Sequence, residues 1–318
     1  KRVKYSKKFR SIEPDIVKYY EININDYEPI TLKAYKIVSD NGKEYFLKET
    51  NAVALQKYQY LYNQGVNNVI YPILNRNESF VTRANDSNYY ISDYVKQIKI
   101  RNDTRVSNLY NELSILHQQT QIRKSLDPSK SRGKFDELSS QLDYKFRLLE
   151  QLVRKIEAKN LDTFTLPILE NYHYILDAKK ELVKLQKRLI SSIKAHEGVN
   201  YSFVHNNPDL DHLLNIKGVN YLSSLDNGKI GINSLDMAKF YVMNEQYDID
   251  FKQLILDKYY DENQLFYYDY FRFLVLVIYI KRMPITIDAY INANSFVDTS
   301  ESIKRYFKNF LDYKEETS

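Results

Sequence analysis

Between Phe203 and Leu214 the chain sets out His205, Asn206, Asn207, Pro208, Asp209, Leu210, Asp211 and His212, two imidazoles, two carboxylates and two carboxamides between apolar flanks. Side chains of these types accept protons, hold hard cations or brace a loop. Asn207 cannot act as a base, because a carboxamide is not protonated at useful pH. Asp209 and Asp211 are then the acids able to swing toward a substrate hydroxyl. Their plainer role is in a turn initiated by Asn207-Pro208-Asp209, with Asp211 solvated. His212 is a metal-ligand type, but with His205 and no third neutral ligand nearby it makes a weak zinc site. His205 fits a bracing role in the loop.

Two other positions carry chemistry. Lys48 ends an alternating, β-forming run and is of the type that pairs with phosphate oxygens. Asp226 stands in an Asp226-Asn227-Gly228 turn and could bind one metal, with Ser224 two residues before it.

Elements must bring these segments together. The first third reads as strands around one helix. Residues 31–38 and 43–48 alternate, and Asn41-Gly42 between them favours a tight hairpin. Thr50 or Asn51 can cap a helix through Leu55, Tyr58 and Leu61 that ends near Gly65. Residues 69–73, 78–82 and 88–95 read as extended, the last two joined by a polar turn at Asn85-Asp86-Ser87-Asn88. Beyond Val95 apolar residues recur at helical spacing over 104–120 and 136–158, and Leu166-Pro167 opens a further long helix. Asp127 to Gly133 reads as a loop, and Pro284 breaks a helical tail that starts near residue 246. The expected plan is α+β and bilobal: residues 1–95 as a small sheet domain, then 96–318 as a mainly helical one, with a long helical insert over about 127–198.

Composition narrows the classes. At 318 residues, 43% hydrophobic and 27% charged, the chain can bury a full core. Its net charge of +5 is too small to argue for nucleic acid, and the one basic concentration, Lys1 to Arg10, reads as a solvated, partly frayed arm. Thirty Tyr and no Trp fit codon bias better than a stacking surface for bases. The absence of Cys excludes disulfides and thiolate metal sites and suits a reducing cytoplasm. The longest apolar run, Phe273 to Ile280, is far short of the roughly 20 residues that span a bilayer and reads as a buried core helix.

Five segments, in order, resemble landmarks of the aminoglycoside-phosphotransferase and choline-kinase superfamily. Tyr45-Phe46-Leu47-Lys48 resembles its third-strand lysine motif, Tyr90 to Val95 its interlobe hinge strand, and Leu113-Ser114-Ile115-Leu116-His117 its Leu-x-x-Leu-His helix. His205 to Leu214 resembles the catalytic loop, His-Gly-Asp, four residues, then Asn. Here Asn206 stands for the Gly, Asn207 for the Asp and His212 for the Asn. Tyr221 to Gly231, ending in Asp236-Met237-Ala238-Lys239-Phe240-Tyr241, resembles the metal-binding run and puts Ser224 where the magnesium-chelating Asp belongs. That ending is most similar to the bacterial spore-coat protein S group. Asp236 there suits a capping or bracing role.

The resemblance implies a kinase-like fold whose chemistry is degenerate. Asn207, His212 and Ser224 replace the reacting or metal-holding groups. No acidic residue lies between Glu49 and Glu78 to position Lys48, and Gln56 or Gln59 offers only hydrogen bonds. The reading is a pseudokinase, a cytoplasmic, spore-associated binding or assembly protein with protein partners and without membrane or nucleic acid. No cofactor is expected for it. The alternative is an active atypical phosphotransferase on a small hydroxyl or amine substrate, using Asp209, Asp211 or Asp226; ATP and magnesium belong only to that alternative.

Overall fold

The computed structural model describes residues 2–84, 86–97, 100–158, 162–195, 198–256, 265–286 and 288–311. Lys1 of the expected arm, Asn85 of the expected turn and residues 257–264 of the expected helical tail lie outside them. The chain divides into two compact units, residues 1–121 with 202–230, and 122–201 with 231–318. An antiparallel sheet comes first and helices dominate the rest, which is the α+β class expected.

The first unit begins with helix α1 (Arg2–Tyr20), so the run expected as a frayed arm is the first half of a helix. The reason is its apolar spacing: Phe9, Ile12 and Ile16 fall on one side and are buried. Strands β1 (Ile24–Thr31), β2 (Ala34–Ser39) and β3 (Glu44–Thr50) follow, then helix α2 (Ala54–Asn63), strands β4 (Thr82–Ala84) and β5 (Ser87–Asp93), and helix α3 (Asn102–Gln119). The sheet order is β1-β2-β3-β5-β4. The β2–β3 hairpin turns at Asn41-Gly42 as expected, with Gly42 at φ 78°. Neither Thr50 nor Asn51 caps α2: the preceding residue is Val53, without a side-chain cap, and the Asn51 carbonyl accepts the Ala54 N–H instead. Of residues 78–82 only Thr82 enters a strand.

Register decides what each face of the sheet does. Leu47 pairs with Tyr35 and Ile91, and Tyr45 with Ile37, so these side chains share one face. They are buried together with Phe9, Ile12 and Ile16 of α1. Lys48 pairs with Ala34 and Tyr90, and belongs to the opposite face with Phe46 and Thr50. Helix α1 thus seals one face and leaves the lysine face for the functional residues. Phe9 lies parallel to Tyr27 at 3.9 Å between ring centroids and is fully buried. Phe9→Ala is expected to cost about 3–5 kcal/mol in urea denaturation, the range for truncating a buried phenylalanine.

The second unit holds β6 (Ile122–Lys124), α4 (Pro128–Glu157), α5 (Leu166–Ala195), α6 (Ser234–Asn244), α7 (Phe251–Leu256), α8 (Leu265–Arg282) and α9 (Ala289–Phe310). β6 pairs antiparallel with residues 199–201, the first half of β7 (Val199–Val204). Leu142, Phe146, Leu149, Val153 and Ile156 form the buried stripe of α4, at the spacing seen in the sequence. The expected loop at 127–133 is instead the start of this helix. The Asp127 carboxylate accepts the Ser129 and Lys130 N–H groups and Pro128 takes the first turn, where its missing N–H costs nothing. Phe273 to Ile280, apart from the partly exposed Ile278, is buried inside α8, and residues 283–286, around Pro284, are not helical. Among the described residues no helix is long and apolar enough to cross a membrane.

Within this unit α5, α8 and α9 enclose charge as well as hydrocarbon. Arg272 on α8 donates to Glu181 on α5 at 2.5 Å, both side chains 8% exposed. Its Nε reaches the Tyr306 hydroxyl at 3.3 Å and its guanidinium lies over the Tyr268 ring. Asp269 Oδ2 takes Arg188 at 3.0 Å, while Oδ1 lies 3.8 Å from Arg272, an ionic contact beyond hydrogen-bond reach. Burial pushes the Asp269 carboxyl up.

Candidate functional site

The site lies wholly within the first unit. After β7 the chain turns through a short 3₁₀ segment at Leu210–His212, then strands β8 (Leu213–Ile216) and β9 (Val219–Leu222), and a second 3₁₀ turn at Leu225–Asn227. Arg105 of α3 donates to the Leu210 carbonyl at 2.6 Å and Gln97 to the Leu213 carbonyl at 3.0 Å, fixing the loop from behind. The Leu222 N–H reaches the Asn68 carbonyl at 2.8 Å.

Both histidines have a readable protonation state, because carbonyl oxygens only accept. His205 is fully buried; its Nε2–H donates to the Ser223 carbonyl at 2.9 Å, so its Nδ1 is the acceptor for the Asn207 N–H at 3.3 Å. Both ring nitrogens therefore brace the loop. His212 donates Nδ1–H to the Asn207 carbonyl at 2.9 Å, which leaves the lone pair of the neutral ring on Nε2. The two rings stack at 5.3 Å. Burial lowers the His212 pKa below 6.5, and the Lys48 charge adds to the effect against the hydrogen bond to Asn207. A base whose folded pKa lies below its unfolded one costs stability progressively across the window in which only the unfolded chain is protonated, and the loss is complete below the folded pKa. Stability is therefore full above about pH 6.5 and is lost as pH falls below it. His212→Gln, which retains an N–H donor, is expected to flatten the decline in urea midpoint between pH 7 and pH 5.

Asn206 has φ 66° and Ser224 φ 60°, both left-handed. The first explains the frame of the motif. Glycine is the default residue for that backbone and asparagine the best-tolerated substitute. The Asn206 carboxamide also donates to the Asn227 carbonyl at 3.1 Å. Asp209 accepts the Asp211 N–H at 2.8 Å and Asp211 is exposed, an arrangement of turn and solvent. Gly228 is the one place where the turn admits no side chain: a Cβ there would stand 2.3 Å from the Phe203 ring, which also stacks with Tyr60 at 6.1 Å between centroids.

The structure brings Lys48 and Asp226 together. Lys48 Nζ meets Asp226 Oδ1 at 2.7 Å, with the two side chains 17% and 7% exposed, and Thr50 Oγ1 donates to Oδ2 at 3.3 Å. Lys57 Nζ on α2 donates to the Asp226 backbone carbonyl at 2.5 Å. Burial lowers the Lys57 pKa, with Asp226 opposing the shift. Gln56 and Gln59, the helix residues considered as partners for Lys48, are on the exposed side of α2. Sequence reasoning missed Lys57, although it is the only charged residue between Glu49 and Arg76. It also missed Thr50, and Tyr58 and Tyr90, whose buried rings meet edge-on at 5.6 Å. Burial raises both phenols, and the Asp226 charge pushes in the same direction.

Magnesium is the metal that the family resemblance implies. Magnesium demands near-octahedral oxygen ligation that usually includes one or two carboxylates. Here Asp226 is neutralised by an ammonium, Ser224 offers a hydroxyl, and His212 offers nitrogen. Among the described residues no group of three or more His, Asp or Glu side chains is placed to hold a metal. A divalent ion at Asp226 would also face Lys48 and Lys57. Each unit-charge repulsion at about 4 Å costs roughly 4 kcal/mol at an effective dielectric near 20. The residues do not fit magnesium.

No protein-family profile matches the sequence, and no curated protein matches it. Solved structures do. An aminoglycoside phosphotransferase from Alicyclobacillus acidocaldarius subsp. acidocaldarius DSM 446 superposes with a TM-score of 0.65 at 12% identity, over 93% of this chain and 94% of that one. Spectinomycin phosphotransferase APH(9)-Ia, in complex with ADP and spectinomycin, gives 0.51 at 14% identity, over 93% and 98%. Choline kinase LicA from Streptococcus pneumoniae gives 0.50 at 13% identity, over 94% and 99%. The chain therefore has the kinase-like fold of aminoglycoside phosphotransferases and choline kinases.

Proposed function

We propose that this protein is a pseudokinase, a kinase-fold chain that binds and assembles rather than transferring phosphate. The observation that carries the reading is the condition of Asp226. It is the carboxylate best placed to serve chemistry, and it is bonded to Lys48 at 2.7 Å. Around it, the base position is an asparagine, whose backbone carbonyl accepts from His212, and Asp209 is engaged in its own turn. General-base catalysis needs an available proton acceptor near the substrate hydroxyl, and these contacts argue against one. The similarity of Asp236 to Tyr241 to the spore-coat protein S group supports a protein partner in a spore coat.

The test is turnover of ATP with magnesium across a broad set of hydroxyl and amine acceptors. No acceptor-dependent ADP release is expected. Robust release that disappears in Asp209→Ala or Asp226→Ala would replace this reading with an active phosphotransferase.

A further inference from the structure

We infer that the site around Lys48 and Lys57 binds the phosphates of a di- or polyphosphate directly, without a divalent metal. The inference rests on the pseudokinase reading and names the ligand class of that same site. In kinase-type sites the strand lysine is balanced by a helix glutamate, and an aspartate-bound metal screens the phosphates. This chain changes both terms. The helix contributes an ammonium, Lys57, in place of a carboxylate, and Asp226 balances Lys48 in place of binding metal.

The direct contacts therefore comprise two ammonium groups against one carboxylate, an excess of positive charge where a metal-dependent site needs negative charge. Such a site attracts an anion and repels a divalent cation. Lys48 and Lys57 are half-buried, so an incoming phosphate oxygen meets partly desolvated donors. Thr50 borders the same carboxylate and brings no negative charge. On the loop side Asp209 accepts the Asp211 N–H. A phosphate entering here draws Lys48 from Asp226 or lies beside the pair. Neither requires a metal bridge.

The experiment is isothermal titration of the full chain with inorganic pyrophosphate and, separately, with ADP, each in EDTA and in millimolar magnesium. Binding in EDTA is expected, equal to or tighter than in magnesium, because magnesium neutralises the ligand that the lysines attract. Lys57→Glu is expected to weaken binding in EDTA at least tenfold, while Lys57→Arg retains it. Lys57→Met serves if the Glu variant does not fold. Binding of pyrophosphate and ADP alike assigns the phosphates as the recognised group; binding of ADP alone adds the nucleoside. Absence of binding in EDTA, or affinity at least tenfold greater with magnesium, overturns the inference. The two failures are distinguishable: metal-dependent binding without turnover removes only the metal-free site, whereas acceptor-dependent turnover removes the pseudokinase reading.

Discussion

Replacing Arg272 with leucine is expected to destabilise the protein by about 3–5 kcal/mol, the range for removing one partner of a buried ion pair. The guanidinium is the hub of its unit: it reaches Glu181 on α5, Tyr306 on α9 and Asp269 one turn away on α8. Without it Glu181 remains a carboxylate with an 8% exposed side chain and no cation in direct contact among these residues. Asp269 retains Arg188 at 3.0 Å, so the loss falls mainly on Glu181. The paired variant Arg272→Leu/Glu181→Leu separates charge from packing. If the cost is an unpaired buried carboxylate, the second substitution recovers most of the lost stability in urea denaturation. If the double variant is no more stable than the single, the arginine acts through its packing on Tyr268 and the ionic account fails.

This network also shows why part of the fold was legible in the sequence and part was not. The stripe from Leu142 to Ile156 and the run from Phe273 to Ile280 announce buried helices, because burial of hydrocarbon leaves a periodic trace. Glu181, Asp269 and Arg272 leave none: their burial depends on partners that the chain supplies from other helices. The same contrast separates α1 from its expectation. Its basic residues suggested an arm, while Phe9, Ile12 and Ile16 at three-and-four spacing carried the information that mattered. Asp127 to Gly133 has the composition of a loop, although its Asp127-Pro128 pair is a helix opening when helical residues follow.

At the site, motif order predicted that Lys48 and Asp226 belong to one centre 178 residues apart in sequence, but not what they would do there. Residue type alone offers each a phosphate or a metal. Only the distance between them shows that each has the other. Lys57 is hidden in the sequence because a kinase-type helix is marked by a carboxylate, and the informative feature of α2 is a charge of the opposite sign.

The ion pair itself supplies the second large effect. Lys48→Met is expected to cost about 3 kcal/mol, the lower end for breaking a buried pair, since Lys48 retains some contact with water. Methionine preserves the aliphatic stem on β3, so lost packing is small. What remains is the Asp226 carboxylate, 7% exposed, with a long hydrogen bond from Thr50 and with Lys57 held on the backbone carbonyl rather than on the carboxylate. Lys48→Met/Asp226→Leu should regain most of the loss, and the double-mutant coupling energy measures the pair directly. The result bears on function as well as stability. A large coupling means that Lys48 is held by Asp226 and a metal cannot take the carboxylate without breaking the pair. A coupling near zero would mean that Lys48 leaves Asp226 at no cost. The carboxylate would then be available to a metal, and the case for a degenerate site would lose the contact on which it rests.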